Sequence, residues 1–145
     1  MIPNTHLDLL TRPVVVSLAT AMSNGALQVQ PVWCSYDGEH VLINTLVGRQ
    51  KFLNLSRRGV ATLLAVDPDD PNRWLEIRGR VDGWSTQGAR RHVDELARAY
   101  LGVERYEQAP GDLEADRVVV RIAPERVVTM GTPRRAQPGS PVTAN

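Results

Sequence analysis

The segment Gly48-Arg49-Gln50-Lys51-Phe52-Leu53-Asn54-Leu55 places two cations in the first turn of a predicted helix over about 49–57. There the helix macrodipole disfavours positive charge by about 0.3–1 kcal/mol each. A bound anion reverses that sign, because free backbone N–H groups, the dipole, Arg49 and Lys51 together suit a phosphate. The alternative is a helix start displaced by a turn, with both side chains in water. Other chemistry is sparse. His6, His40 and His92 are far apart and form no metal-ligand spacing, so no metal site is expected. Cys34 lies in a predicted strand, where a free cysteine is usually a small buried hydrophobe. The acidic turn 67–72, Asp-Pro-Asp-Asp-Pro-Asn, lacks the spacing of a calcium loop, and its two prolines explain it as a turn. No two glycines stand two residues apart, which removes the usual phosphate-cradling loops. No catalytic side chain stands out.

Two further segments carry information. Pro31, inside Ala26-Leu27-Gln28-Val29-Gln30-Pro31-Val32-Trp33, cannot donate to a strand ladder and marks an edge, a bulge or backbone left open to another group. In Arg73 to Trp84, Leu75, Ile77, Gly79 and Val81 alternate with Trp74, Glu76, Arg78 and Arg80. An aromatic among alternating charges suits a partner surface, a dimer first, although salt-bridged surface ladders look the same.

The elements that must position these residues follow from periodicity and turns. Thr5-His6-Leu7-Asp8 has N-cap spacing for a short helix ended by Pro13. Strands are expected at 14–20, 26–36, 39–45, 60–66 and 73–84, with turns at Asn24-Gly25 and Asp37-Gly38. The run 60–66 is apolar on both faces, as in a strand buried on both sides. A second helix starts at Thr86 as N-cap and stops at Gly102, with Arg90, Arg91, Asp94, Glu95 and Arg98 on a solvated face and Asp94 paired to Arg98. Last strands are expected at 117–122 and 127–130. Residues 131–145 hold three prolines and no apolar periodicity, and are expected to form a mobile tail behind a single domain of residues 1–130. Short antiparallel strands with few helices point to a barrel or sandwich.

Composition sets the outer bounds. A chain of 145 residues is one domain by length and can bury a real core without staples. No apolar run approaches a membrane span, which excludes a membrane protein. A net charge of +1 argues against nucleic-acid binding. The N-terminus has no export pattern and there is one cysteine, so the cytoplasm is expected. Of the seventeen basic residues sixteen are arginine, and Lys51 is the single lysine. Most surface positions accept either cation, so the imbalance acquires meaning only where the side chain has a task.

The order of an Asn-Gly turn, Gln-x-x-Pro-Val-Trp, Tyr-Asp-Gly-Glu, Ile-Asn-Thr, Gly-Arg-x-Lys-x-x-Asn-Leu and Asp-Pro-x-x-Pro-x-Arg-Trp-x-Glu-Ile-Arg-Gly-Arg-Val resembles the pyridoxamine-phosphate-oxidase-like split-barrel flavoproteins. Within that group it is most similar to the branch that uses the deazaflavin coenzyme F420, over roughly Val14 to Met130. The resemblance implies a mainly β fold with a few helices, a six-stranded antiparallel Greek-key split β-barrel, forming a homodimer with cofactor sites at the interface. Carried over by position, Arg49 and Lys51 contact the cofactor phosphate, and Asn44 and Thr45 line the same pocket. Val29, Gln30, Pro31, Val32 and Trp33 lie along the ring system. Arg73, Trp74 and Leu75 reach the site from the other subunit.

The implied activity is an oxidoreductase moving a hydride from reduced F420 to a small electrophilic organic substrate, with the chemistry carried by the cofactor. The alternatives are an FMN-dependent oxidoreductase of the same fold and a non-catalytic flavin or deazaflavin carrier. The segment Gly131-Thr132-Pro133-Arg134-Arg135 departs from the basic and aromatic ending of true pyridoxamine phosphate oxidases, which argues against pyridoxal synthesis.

Overall fold

A computed structural model describes residues 1–133. The expected tail beyond them lies outside the described residues. One antiparallel sheet dominates: β1 (Val16–Ala21), β2 (Leu27–Val32), β3 (Cys34–Tyr36), β4 (Val41–Leu46), β5 (Val60–Asp67), β6 (Asp70–Ser85) and β7 (Arg117–Met130). The helices are α1 (Asp8–Thr11), α2 (Gln50–Arg58) and α3 (Ala89–Leu101), with a 3-10 turn at Pro110–Asp112. The sheet order is β2-β1-β5-β6-β7-β4-β3, so β2 and β3 are its two edges. Only Trp33 separates those edges in the chain, a reach of at most about 7 Å. The sheet must therefore curl until its ends meet at Trp33, which makes it a barrel joined at one point and split elsewhere.

The strand count is seven where the resemblance implied six. The stretch read as one strand, 26–36, breaks at Trp33 into β2 and β3, which pair with different neighbours. Conversely, the two last strands expected at 117–122 and 127–130 form one long β7, with register shifts against β6 at Arg78/Gly79 and Val81/Trp84. Gly79 sits at the first shift because a Cβ there would meet Ala123 O and Ile122 Cγ2 at 2.7 Å.

Alternate residues fill the barrel: Val16 and Leu18, Val41 and Ile43, Ala61, Leu63 and Ala65, Leu75 and Ile77, Val118, Val120 and Ile122. Phe52 and Leu55 of α2, and Leu9 and Leu10 of α1, close this core. The outward residues of β5 do not match the expectation of a strand buried on both faces, since Val60, Leu64 and Val66 are exposed. Register sets Val66 beside Trp74 and Trp74 beside Met130, and places Val29 opposite Ala19 on β1. One outer face of the sheet thus carries apolar side chains in water.

The helices start close to their expected places. Arg49 is the N-cap of α2, and Gly59 ends it in the left-handed region. Helix α3 begins two residues later than expected, with Gly88 instead of Thr86 as N-cap, and Gly102 ends it at φ 69°. The first helix is a single turn, and its N-cap is Leu7, not Thr5. Asp8 does not cap; its carboxylate binds Arg73.

Candidate active site

Two adjoining cavities of about 360 and 330 Å³ open where β2, β4, α2 and the loop after α3 converge, and they share Asn44, Lys51, Tyr106 and Arg117. The first is also lined by Pro31, Val32 and Trp33, and the second by Gln28, Gln30, Thr45, Arg49 and Gln50. Most residues singled out in the sequence therefore meet in one place. Pro31 is on the edge strand β2, so its missing N–H interrupts no central ladder.

Helix α2 starts where its sequence suggested, with both cations at its N-terminus. Its first intrahelical bond runs from Leu53 N to Arg49 O at 3.1 Å, and the N-cap side chain makes no capping bond. The N–H groups of the first turn are thus free of helical partners and carry the positive end of the dipole. Lys51 is half-buried and, among the described residues, has no hydrogen bond or ion pair. Burial, with the Arg49 charge beside it, pushes its ammonium below the ordinary lysine range. A cation desolvated without a counter-charge would be stabilised by an anion placed beside it. Arg49 is exposed at the rim, where its Nη2 contacts Asp112 Oδ2 at 2.6 Å.

Asn54, in the same motif, is scaffold. It is buried, accepts from Gln50 Nε2 at 2.7 Å, and donates to Thr20 Oγ1 at 3.0 Å and Gln28 Oε1 at 3.3 Å. These bonds tie α2 to β1 and β2 and hold Gln28 and Gln50 on the cavity wall. Trp33 is stacked on Tyr100 with ring centroids 5.2 Å apart, and Tyr106 meets it edge-on at 6.0 Å. Tyr100 is in turn fixed by donating its hydroxyl to Val14 O at 2.7 Å.

Sequence reasoning missed Tyr106 and Arg117. The Arg117 guanidinium stands 4.6 Å from the Tyr106 ring centre, donates from Nε to Gln108 Oε1 at 2.7 Å and reaches Asn44 Oδ1 at 3.4 Å. Tyr106 is pinned at both backbone groups by α3: its N–H donates to Asp94 Oδ1 at 2.9 Å, and its carbonyl accepts from Arg90 Nη2 at 2.8 Å. Asp94, expected to pair with Arg98 on a solvated face, is thus a loop anchor. The available signal was an aromatic in an otherwise polar loop, and a cation at the start of a strand.

Four candidates lie elsewhere. Leu75 is fully buried in the barrel and Arg73 has 2% of its side chain exposed, so both side chains are enclosed by their own chain. Arg73 Nη1 contacts Asp67 Oδ2 at 2.9 Å, Nη2 donates to Thr5 O at 2.8 Å, and both nitrogens bind Asp8. Its planar fork is consumed in clamping α1 to the β5–β6 hairpin. Trp74 and Val29 are on the outer face of the sheet. Cys34 is buried and its thiol is pushed up to about 11 by burial, which makes it unreactive. Among the described residues no group of histidine, cysteine and carboxylate side chains could hold a metal, and no helix is long and apolar enough to cross a membrane.

Comparison with known proteins agrees with this fold. A solved structure of an F420 reductase is 29% identical, covers 88% of this chain and 98% of its own, and superposes with a TM-score of 0.77. A conserved hypothetical protein from Mycobacterium tuberculosis is 22% identical over 97% of this chain and 94% of its own, with a TM-score of 0.67. HutZ, the heme storage protein from Vibrio cholerae, is 12% identical over 91% of this chain and 97% of its own, at 0.64. These last two share the fold. No curated protein sequence matches the chain. The family described as pyridoxamine 5'-phosphate oxidase matches residues 2–131, and on that match, with the split barrel it folds into, the chain belongs to that family.

Proposed function

We propose that this chain is an oxidoreductase that binds the deazaflavin coenzyme F420 in the paired cavities and uses it to reduce a small electrophilic organic molecule. The observation that carries the reading is Lys51: a half-buried ammonium without a counter-charge, at the open N-terminus of α2, on the wall shared by two adjoining cavities of about 360 and 330 Å³. The similarity to an F420 reductase supports the choice of cofactor. Lys51 and the α2 N–H groups hold the phosphate, Arg49 adds charge at the rim, and Pro31, Val32 and Trp33 form the wall along the rings. When bound, the cofactor supplies the hydride. The protein's own part is to fix both reactants and keep water out, which needs no acid–base pair.

A homodimer belongs to this reading. Val29, Leu64, Val66 and Met130 are exposed on the sheet face that also bears Trp74, and such contiguous apolar surface suits a second copy. It predicts a sedimentation mass twice that of the chain.

One observation favours FMN instead. Arg49 is already paired with Asp112, so less of its charge is left for the anionic tail of a deazaflavin. Titration of the purified protein with F420 and FMN side by side decides: saturable F420 binding with weaker or no FMN binding supports the proposal, and stoichiometric FMN retained through purification overturns it. Tight F420 binding without hydride transfer to any of a panel of enones and quinones indicates a carrier.

A further inference from the structure

Behind the cavity wall a chain of hydrogen bonds runs Arg117–Asn44–His92–Ser35, from β7 through β4 and α3 to β3. Asn44 Nδ2 is 2.8 Å from Ala89 O and 3.1 Å from His92 Nδ1; His92 Nε2 is 2.9 Å from Ser35 Oγ. The Ala89 carbonyl can only accept, so the Asn44 atom facing it must be the NH2 group. Its second hydrogen points at His92 Nδ1, which must then be unprotonated, so the imidazole carries its proton on Nε2 and donates to Ser35. Both Asn44 hydrogens are thereby spent. What remains for the cavity is the carbonyl oxygen Oδ1, touched only at long range by Arg117 Nη1 at 3.4 Å.

We infer that His92 is a positioning residue which locks Asn44 with its carbonyl oxygen toward the cavity, so that this wall selects a hydroxyl or N–H donor on the ligand and not a phosphate oxygen. This rests on the cofactor reading above, and reassigns Asn44 from the phosphate end of the site to a donor-bearing stretch of the ligand. An imidazolium breaks the lock, because a proton on Nδ1 opposes the Asn44 NH2, and the amide can meet it only by turning its oxygen to His92 and giving up its bond to Ala89 O. Oδ1 is then lost to the cavity.

The surroundings favour the neutral ring. His92 is buried on α3, with Glu95 on its own helix as the near carboxylate. Ser35, Cys34 and Tyr36 of β3, Arg12 after α1 and Tyr100 of α3 line the small cavity on its far side, while Arg117 and Lys51 stand beyond Asn44. Burial lowers the imidazole's proton affinity, and Glu95 acts in the opposite sense.

The test has two readouts on the full chain. Long-range 1H–15N NMR of the ligand-free protein is expected to show His92 as the Nε2–H tautomer near pH 7.5, with the Asn44 amide resonances moving when His92 titrates on acidification. An Nδ1–H tautomer, or Asn44 resonances indifferent to that titration, overturns the inference. The second readout is affinity for F420 and FMN between pH 5 and 8. His92→Leu is expected to weaken whichever ligand binds by about tenfold at pH 7.5. His92→Asn, whose Oδ1 occupies nearly the place of Nδ1 and cannot be protonated there, restores the binding and removes the acid fall-off. Wild-type affinity in the Leu variant, or an unchanged acid limb in the Asn variant, overturns it. If neither ligand binds the wild-type protein while the NMR result is as expected, the cofactor reading fails and the positioning role of His92 stands.

Discussion

The Asp94 carboxylate on α3 accepts the backbone N–H of Tyr106 at 2.9 Å, twelve residues further along the chain, and so holds the loop that walls the cavity. Removing it leaves that N–H without its partner. A hydrogen bond to a charged group is worth about 1.5–3 kcal/mol. Asp94→Ala is expected to cost stability at the lower end of that range, and to speed amide exchange selectively at Tyr106 and its neighbours. Uniform exchange across the chain would contradict the anchor role.

Lys51 gives opposite signs for stability and binding. In the ligand-free protein it is partly desolvated without a counter-charge, so Lys51→Met is expected to raise Tm slightly, the gain being small because the half-buried ammonium is still screened by water. Affinity for a phosphate-bearing cofactor should fall by tenfold or more as a charge-assisted bond is lost. Thermal unfolding with and without ligand measures both; a variant destabilised when ligand-free would show that Lys51 has a structural partner.

Asp112 competes for Arg49 at the rim. Arg49 is 55% exposed and Asp112 25%, and pairs at the surface contribute about 0–1 kcal/mol, so Asp112→Asn should change Tm little. The freed guanidinium is expected to tighten binding of FMN or F420 two- to fivefold, more at low ionic strength. A salt-independent affinity identical to wild type would place the phosphate out of reach of Arg49.

The Arg73 cluster makes the fold acid-sensitive. Burial alone would raise the carboxyls of Asp8 and Asp67, but for both the guanidinium of Arg73, with backbone N–H donors and Arg12, outweighs it and holds them below the ordinary range. The folded state therefore binds fewer protons than the unfolded one. The stability these groups confer is fully present above the unfolded value near 4, and is lost as pH falls through their lower folded values. Arg73→Met leaves the buried Asp67 and the partly exposed Asp8 with Arg12 as their remaining cation, and should cost about 2–3 kcal/mol, less than the roughly 3–5 kcal/mol of a fully stranded buried charge. Denaturant midpoints at pH 7 and pH 3.5 check both: wild type should weaken at the lower pH, while the gap between variant and wild type narrows.

The parts of the site legible in the sequence were those carried by contiguous residues. Arg49 and Lys51 belong to one helix start, where spacing suggested an anion or a solvated turn, and Pro31 to Trp33 to one strand end, which the family resemblance placed beside the ring system. Arg73 shows the limit of that reading. Its place in a strand is clear from alternation, but its pairing with Asp8 depends on a fold that brings together residues 65 positions apart. A planar fork suited to a phosphate is equally suited to two buried carboxylates, and the type of residue does not distinguish them.

The sequence by itself determined the alternation that makes a curled antiparallel sheet, the turns that divide it, the helix that opens with two cations, and the family these patterns mark. Tertiary structure decided the rest. Closure of the sheet at Trp33 brings β2 to β3, and α3 lies across β4 and β7, so that Tyr106, Arg117, Asn44 and His92 converge from separate segments. Local periodicity tells each side chain which face it occupies. Which other face it meets is set by long-range pairing, and that is where Asp94, Tyr106 and His92 acquire their roles.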